Sequence, residues 1–471
     1  MLPRAFAQNL PELGEGSSAA LPPHTERKIG EGIMREIRAR EPSYLDDPEL
    51  ADYLNHLGSR LVAVVPGARQ DFHFFAVREA SINAFALPGG FVGVHTGLLT
   101  SAEGESEVAS VLGHEIAHVT QRHIARMLGQ QQQMALPGLI AMAAAILLGR
   151  SRPDLAQGAI MAAQGAAAQA QLSYSRDFER EADRIGFQTL NSAGFDVRAM
   201  ASFFEKMQRS TRVADDGSFP GYLRSHPVTT ERIADAQSRA ANLPYRQHPD
   251  SLDFHLVRAK LRAESGDPRE AVTEFAAAVR DQRYANETAA RYGLAVALLR
   301  TRRPAEAQAE LAKLGDRVKE SSLFITLAAR IRQAQGKGAE ALAILKEGVP
   351  RWPERRSVVY AYAEALAAQG RSDEVLAVVA PLLRQHPRDE RLHEMQAKAF
   401  SALGKRLRQH QSQAEVYALR GSIPAAIEQL QLARAAGDGN FYELSVVEAR
   451  LKELRAEHAL DLKEKDSRKK F

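Results

Sequence analysis

A short phrase returns through the second half of the chain at a nearly fixed interval. Gly266-Asp267-Pro268-Arg269-Glu270-Ala271 is echoed by Arg302-Arg303-Pro304-Ala305-Glu306-Ala307, by Gly336-Lys337-Gly338-Ala339-Glu340-Ala341 and by Gly370-Arg371-Ser372-Asp373-Glu374-Val375. The offsets are 36, 34 and 34 residues, and Pro249, Pro353 and Pro387 keep the same register. The segment is rich in Ala, Leu, Arg and Glu with helical spacing throughout. A unit of that length holds two helices and a turn but cannot bury a core alone; it becomes stable by stacking on its neighbours. The chain from about residue 246 is therefore expected to be an all-α solenoid.

A small residue at the helix–helix turn, Ala inside the pair and Pro at its close are the tetratricopeptide signature. Gly421-Ser422-Ile423-Pro424-Ala425-Ala426 gives one more turn, after an irregular Gln- and Arg-rich join near Gly404. The expected repeat domain is 246–462, followed by a charged, disordered tail over 463–471. Stacked pairs of this kind form a superhelix whose concave face takes extended or helical peptide.

The first half has a different texture. Ala5-Phe6-Ala7 fits the small-x-small pattern of a signal-peptidase site, but only four residues precede it. Two readings stand, a disordered amino terminus and a clipped export signal; the second predicts an in-frame start upstream and a mature protein beginning at Gln8. Residues 8–28, rich in Pro, Gly, Ser and Ala, are expected to form an extended arm. From about Ile29 the pattern turns helical, with Asp46-Asp47-Pro48 opening a helix over Leu50, Tyr53, Leu54, Leu57 and Leu61. Phe72–Val77, Ala84–Leu87 and Phe91–His95 read as strands, with Pro88-Gly89-Gly90 as a turn between the last two. Thr100-Ser101-Ala102-Glu103 matches a capping box.

That box would open a helix carrying His114-Glu115-Ile116-Ala117-His118. Residues four apart share one helix face, so His114 and His118 can grip one zinc ion while Glu115 stands beside it to move a proton. The helix is expected to continue through His123 to about Leu128. Met134–Gly149 is strongly apolar but sixteen residues long with Pro137 inside it, short of the roughly 20 residues a membrane span needs. With a second helix over Leu155–Leu172 it reads as a buried hairpin, or as a mobile lid or apolar contact surface.

A second set of carboxylates follows. Glu179 and Asp183 sit one helical turn apart. A catalytic zinc site with two His ligands commonly takes a Glu as the third and leaves the fourth position to water, and a ligating His needs its other nitrogen held by a carboxylate or carbonyl. Glu179 fits the ligand role and Asp183 the supporting one; Glu181, on a different face, competes for the first. His226, in Ser225-His226-Pro227, is either a surface-loop histidine or one that approaches the zinc, and Thr229 or Thr230 caps the helix after it. Lys plus Arg is 62 against 58 Asp plus Glu, a formal net charge of +4. With no basic stretch interleaved with aromatics, this excludes a case for nucleic acid. The chain has no cysteine, which excludes disulfides, zinc ribbons and thiol catalysis.

Ile82-Asn83-Ala84-Phe85-Ala86, the His114/Glu115/His118 motif, the segment from Ser175 through Glu179 to Asp183, and Ser225-His226-Pro227 together resemble the M48 peptidases, a gluzincin family. The resemblance implies an α+β metallopeptidase domain over 29–245 ahead of the repeats, in a chain that is mostly α. It implies one zinc per chain on His114, His118 and Glu179, with His226 as a reversible fourth ligand that holds the protease off. It also implies a periplasmic location, a chaperone-like part in outer-membrane β-barrel protein assembly, and degradation of misfolded or stalled outer-membrane proteins, with the assembly machinery as a partner for the repeats.

The expected chemistry is peptide hydrolysis. Glu115 takes a proton from water and delivers it to the leaving amine; Asp183 supports the site; substrate adds a strand along Asn83, Ala84, Phe85 and Ala86. His226 and Tyr174 are candidates to stabilise the oxyanion. The other class of function is a scaffold or chaperone that binds envelope proteins through the repeats, with a silent or structural zinc site.

Overall fold

The structure, a computed structural model, describes residues 21–68, 70–130, 176–213 and 221–468. The expected hairpin over 134–172, Tyr174 and the Ala5-Phe6-Ala7 site lie outside the described residues. The chain divides into two compact units, 1–254 and 255–471, a little beyond the 245/246 join read from composition.

In the first unit, helix α1 spans Pro23–Arg40, so residues 23–28, expected to belong to an extended arm, are helical. Proline in the first turn is pre-set for helix, and Ile33, Met34 and Ile37 are buried against Phe75, Val77, Phe85 and Phe91 of the sheet. A two-residue strand β1 (Tyr44–Leu45) follows, then α2 (Pro48–Val62). The Asp47 side chain caps α2 by accepting the Glu49 and Leu50 amides at 3.0 and 3.1 Å. Strands β2 (His73–Val77), β3 (Ala84–Leu87) and β4 (Phe91–His95) complete a sheet of order β1-β2-β4-β3. β4 runs parallel to β2 and antiparallel to β3, which leaves β3 as an end strand.

The expected capping box does not form. Thr100 and Ser101 close a short helix α3 (Thr96–Ser101), and α4 (Glu105–Thr120) starts one turn later at Gly104 with no side-chain cap. Glu107 instead reaches back to the Glu103 amide at 2.9 Å. Every residue of α4 from Glu105 to Val119 is buried, so this helix is the axis of the unit. It also ends sooner than expected. Arg122 takes φ 53°, and the chain restarts as α5 (His123–Gln130).

Helix α6 (Arg176–Ser192) packs across α4 at two glycines. A Cβ on Gly186 would stand 2.9 Å from the His114 amide nitrogen, so only glycine lets the helices come this close. α7 (Arg198–Val213), α8 (Gly221–Ser225) and α9 (Thr230–Ala241) finish the unit. Of the two candidate caps for α9, Thr229 is the one used, accepting the Arg232 amide at 3.3 Å.

The second unit is helical throughout. Its turns at Gly266, Arg302, Gly336 and Gly370 all adopt left-handed φ between 58° and 75°. The join near Gly404, expected to be irregular, is the fifth turn in register: Gly404 has φ 69° and links Glu390–Ala402 to Arg406–Leu419. Gly421 turns the chain again only half a repeat later. The tail expected to be disordered is helical over 463–468, where the last helix runs Phe441–Arg468, and 469–471 lie outside the described residues. Among the described residues no helix is long and apolar enough to cross a membrane.

Arg302 is the one non-glycine among these turns. Left-handed φ costs an L side chain roughly 1–2 kcal/mol, which glycine avoids. Gly370→Ala should therefore lower the stability of the repeats by about 1 kcal/mol in urea unfolding of the full chain. Arg302→Gly should leave stability unchanged or raise it; a clear loss would show that the Arg302 side chain holds the turn.

Candidate active site

Helix periodicity puts His114 and His118 on one face of α4, and the glycine crossing lowers α6 onto that face. Glu179, in the first turn of α6, enters from the other side. His226 is carried by the bend after α8, where its amide donates to the Tyr222 carbonyl at 2.8 Å and its ring stacks on Tyr222 at 4.8 Å. Ligand atoms of His114, His118, Glu179 and His226 all lie within 4.8 Å of one another, and all four residues are buried.

The contacts define which atoms face inward. His114 Nε2 and His118 Nε2 are 3.0 Å apart, and His226 Nδ1 is 3.3 Å from His114 Nε2. Glu179 lies 2.9 Å from His226 Nδ1, 3.4 Å from His118 Nε2 and 3.5 Å from His114 Nε2. The outward nitrogens each meet another group. His114 Nδ1 is 3.0 Å from Asp183 Oδ1, His118 Nδ1 is 2.8 Å from His123 Nδ1, and His226 Nε2 is 3.4 Å from Glu115 Oε1. With the outer nitrogens held by these groups, the inner nitrogens and the Glu179 carboxylate face a common point, where a proton or a metal cation relieves the repulsion between their lone pairs. Three imidazoles and a carboxylate are the donor types that borderline divalent metals take. The residues therefore fit a metal ion.

Arg232 stands behind the carboxylates. Its guanidinium donates to both oxygens of Asp183, at 2.6 and 2.7 Å, and lies 2.8 Å from Glu179 Oε2. It is held in turn by the Pro227 carbonyl and lies over the Phe204 ring. Burial alone would raise the Glu179 carboxyl, but His226, His114 and His118 outweigh it and hold the group well below the usual carboxylate range. Burial would raise Asp183 too; His114 and Arg232 lower it. Burial opposes charge on His114, yet Asp183 and Glu179 prevail and lift it to about 9 in the metal-free site. His118 moves the other way, well down, with burial the largest cause. Burial raises the Glu115 carboxyl, a direction that suits a proton acceptor and donor.

Among the described residues, the structure brings His114, Glu115, His118, Glu179, Asp183 and His226 together and sets one candidate apart. Glu181, the rival ligand, faces away and pairs with Arg126 at 2.8 Å and His123 at 3.3 Å. Asn83, Ala84, Phe85 and Ala86 are all buried in or beside end strand β3, and the Ala86 amide faces the Glu115 carboxylate. Arg232 and Tyr222 were missed by sequence reasoning. Arg232 lies 49 residues beyond Asp183, and no local spacing links the two.

A profile described as peptidase family M48 matches residues 48–240, and a tetratricopeptide repeat profile matches 262–331 and 333–399. The chain is 32% identical over 451 residues to the beta-barrel assembly-enhancing protease of Yersinia pestis, covering 95% of this chain and 91% of the relative. The chain belongs to peptidase family M48. The corresponding protease of Escherichia coli K12 is also 32% identical, over 456 residues, with 95% and 92% covered. A mitochondrial metalloendopeptidase of Arabidopsis thaliana matches at 29% over 228 residues, 48% of this chain and 44% of that one. This M48 peptidase is a metalloendopeptidase with carboxy-terminal tetratricopeptide repeats.

Removing Asp183 would leave a buried guanidinium without its main partner, a loss worth roughly 3–5 kcal/mol. Asp183→Ala should lower the unfolding midpoint accordingly, and an unchanged midpoint would contradict the arrangement. The pH signature has a definite sign. The folded pKa lies below the ~3.9 of an unfolded Asp, so the contribution is complete above about pH 4 and is lost as pH falls through the folded value.

Proposed function

We propose that this M48 peptidase is a zinc-dependent endopeptidase of the periplasm that acts on outer-membrane β-barrel proteins during their assembly and removes misfolded ones. The observation that carries the catalytic part is the convergence of His114, His118, Glu179 and His226 on one buried point, with Glu115 beside it. The Yersinia pestis and Escherichia coli beta-barrel assembly-enhancing proteases, which align over nearly the whole chain, support the substrate class. The tetratricopeptide repeats supply a surface suited to holding client proteins or the assembly machinery.

In this reading His114, His118 and Glu179 hold one zinc ion per chain. When bound, zinc supplies the positive charge that acidifies water and polarises a carbonyl. The Glu115 carboxylate takes the proton of the attacking water and passes it to the leaving amine. Substrate lies along β3, pairing its backbone with the strand from Asn83 to Ala86. Because that pairing reads backbone, it suits a broad quality-control specificity. Asp183 keeps the His114 ring oriented from behind.

His226 completes a four-donor set. Closed sets are typical of structural zinc, whereas catalytic zinc keeps a position open. We therefore assign the arrangement with His226 turned inward to a resting state, and the active state to one in which His226 has swung away. A purely scaffolding protein with a silent site would have no use for Glu115 beside the donors.

The test is cleavage of casein and of an unfolded β-barrel protein by purified protein, with and without chelator. Glu115→Gln should retain zinc and lose cleavage by at least ~10²-fold; undiminished cleavage would refute the mechanism. His226→Ala should raise cleavage if the inward histidine restrains the enzyme, and a fall would assign it a catalytic role instead.

A further inference from the structure

Each of the two helix α4 imidazoles is braced from behind, but by different chemistry. His114 leans on Asp183, the carboxylate expected of such a site. His118 leans on another histidine: its Nδ1 lies 2.8 Å from His123 Nδ1. Beyond it, His123 Nε2 is 3.3 Å from Glu181 Oε2, and Arg126 donates to the same oxygen at 2.8 Å. His123 is completely buried and stacks on Phe178 at 4.5 Å with a 9° tilt. The Arg126 guanidinium lies over the same phenyl ring, 4.6 Å from its centre.

This contact does not come from helix periodicity. Residues five apart on a continuous helix are offset by about 140°, so an uninterrupted α4 would turn His123 away from His118. The break after Thr120 brings it back. Arg122 takes left-handed φ, 53°, a conformation L side chains avoid. Its guanidinium is anchored to Glu26 and to the Leu21 carbonyl. The chain thus accepts local strain at one residue and gains a histidine placed behind a metal-facing histidine. Strained positions held by surrounding contacts gather at functional sites.

We propose that His123, held by Glu181, is a positioning residue that fixes the tautomer and orientation of His118. The directions of the hydrogen bonds agree along the chain of contacts. His118 keeps Nε2 bare and donates through Nδ1–H; His123 accepts at Nδ1 and donates through Nε2–H to the Glu181 carboxylate. Such support of a ligating imidazole sets its basicity, and its loss typically lowers metal affinity 10–100-fold. Both ligating histidines then end on a carboxylate paired with an arginine: Asp183 with Arg232, and Glu181 with Arg126. The inference gives Glu181, the carboxylate that competed with Glu179 for the metal, a supporting role one step behind the site. It rests on the zinc reading above.

The experiment measures the zinc dissociation constant of the full chain by competition with a chromophoric chelator, and casein cleavage alongside. His123→Phe keeps the ring and its stack on Phe178 but offers no acceptor; it should weaken zinc binding 10–100-fold and lower kcat with KM little changed. His123→Asn places an amide oxygen where Nδ1 stood and should recover most of the loss, which a merely space-filling role would not produce. Glu181→Gln should weaken zinc a few-fold. Equal losses in the Phe and Asn variants, or none in either, would overturn the proposal. If His123→Phe does not fold, Glu181→Gln decides, because that side chain is 26% exposed and its substitution leaves the core intact; unchanged affinity there overturns the proposal. Failure of the wild-type chain to bind zinc would instead overturn the zinc reading itself.

Discussion

Three imidazole nitrogens and a carboxylate aimed at one buried point repel one another in the absence of a cation. A protein interior keeps such an arrangement only if the surroundings force it and something positive relieves it. Here the forcing comes from backbone. The glycine crossing of α4 and α6 sets the distance between the histidine face and Glu179, and the Tyr222 stack and the His226 amide hydrogen bond fix the approach of His226. Much of the first unit serves this geometry. The sheet, α2, α6 and α7 pack around α4, while α1 covers sheet residues and α9 backs α6 and α7.

The support extends outward in pairs of opposite charge. Arg232 neutralises Asp183 and steadies Glu179, so two carboxylates can lie near the metal position without protonating. Tyr222 connects the site to the sheet, since its amide donates to the Ile82 carbonyl at 3.2 Å just ahead of β3. In the proposed reading, the strand that receives substrate and the segment that carries the restraining histidine are thus tied by one backbone hydrogen bond.

The sequence made the local parts legible and the long-range ones not. Helix periodicity placed His114 with His118 and Glu179 with Asp183, because spacing of four residues is a property of the helix itself. The repeats were legible for a similar reason: a turn that recurs every 34 residues needs no tertiary information. The Gly404 join was misread because its Gln- and Arg-rich flanks hide a turn that is in register. Arg232 and Tyr222 could not be found, since their partners are distant in sequence and meet only when α8 and α9 fold back. The end of α4 was misjudged because Arg122 carries no glycine to announce a left-handed residue. The capping box failed because a short helix, α3, used Thr100 and Ser101 first.

The central claim is that one divalent metal is held by three histidines and one glutamate of the amino-terminal unit. X-ray absorption at the zinc edge, on purified full chain loaded with one equivalent of zinc, tests it most directly. The account predicts three imidazole scatterers and one oxygen at about 2.0–2.1 Å, with one imidazole lost in His226→Ala. A first shell of two imidazoles or fewer in the wild-type chain, or one unaltered by His226→Ala, would contradict it.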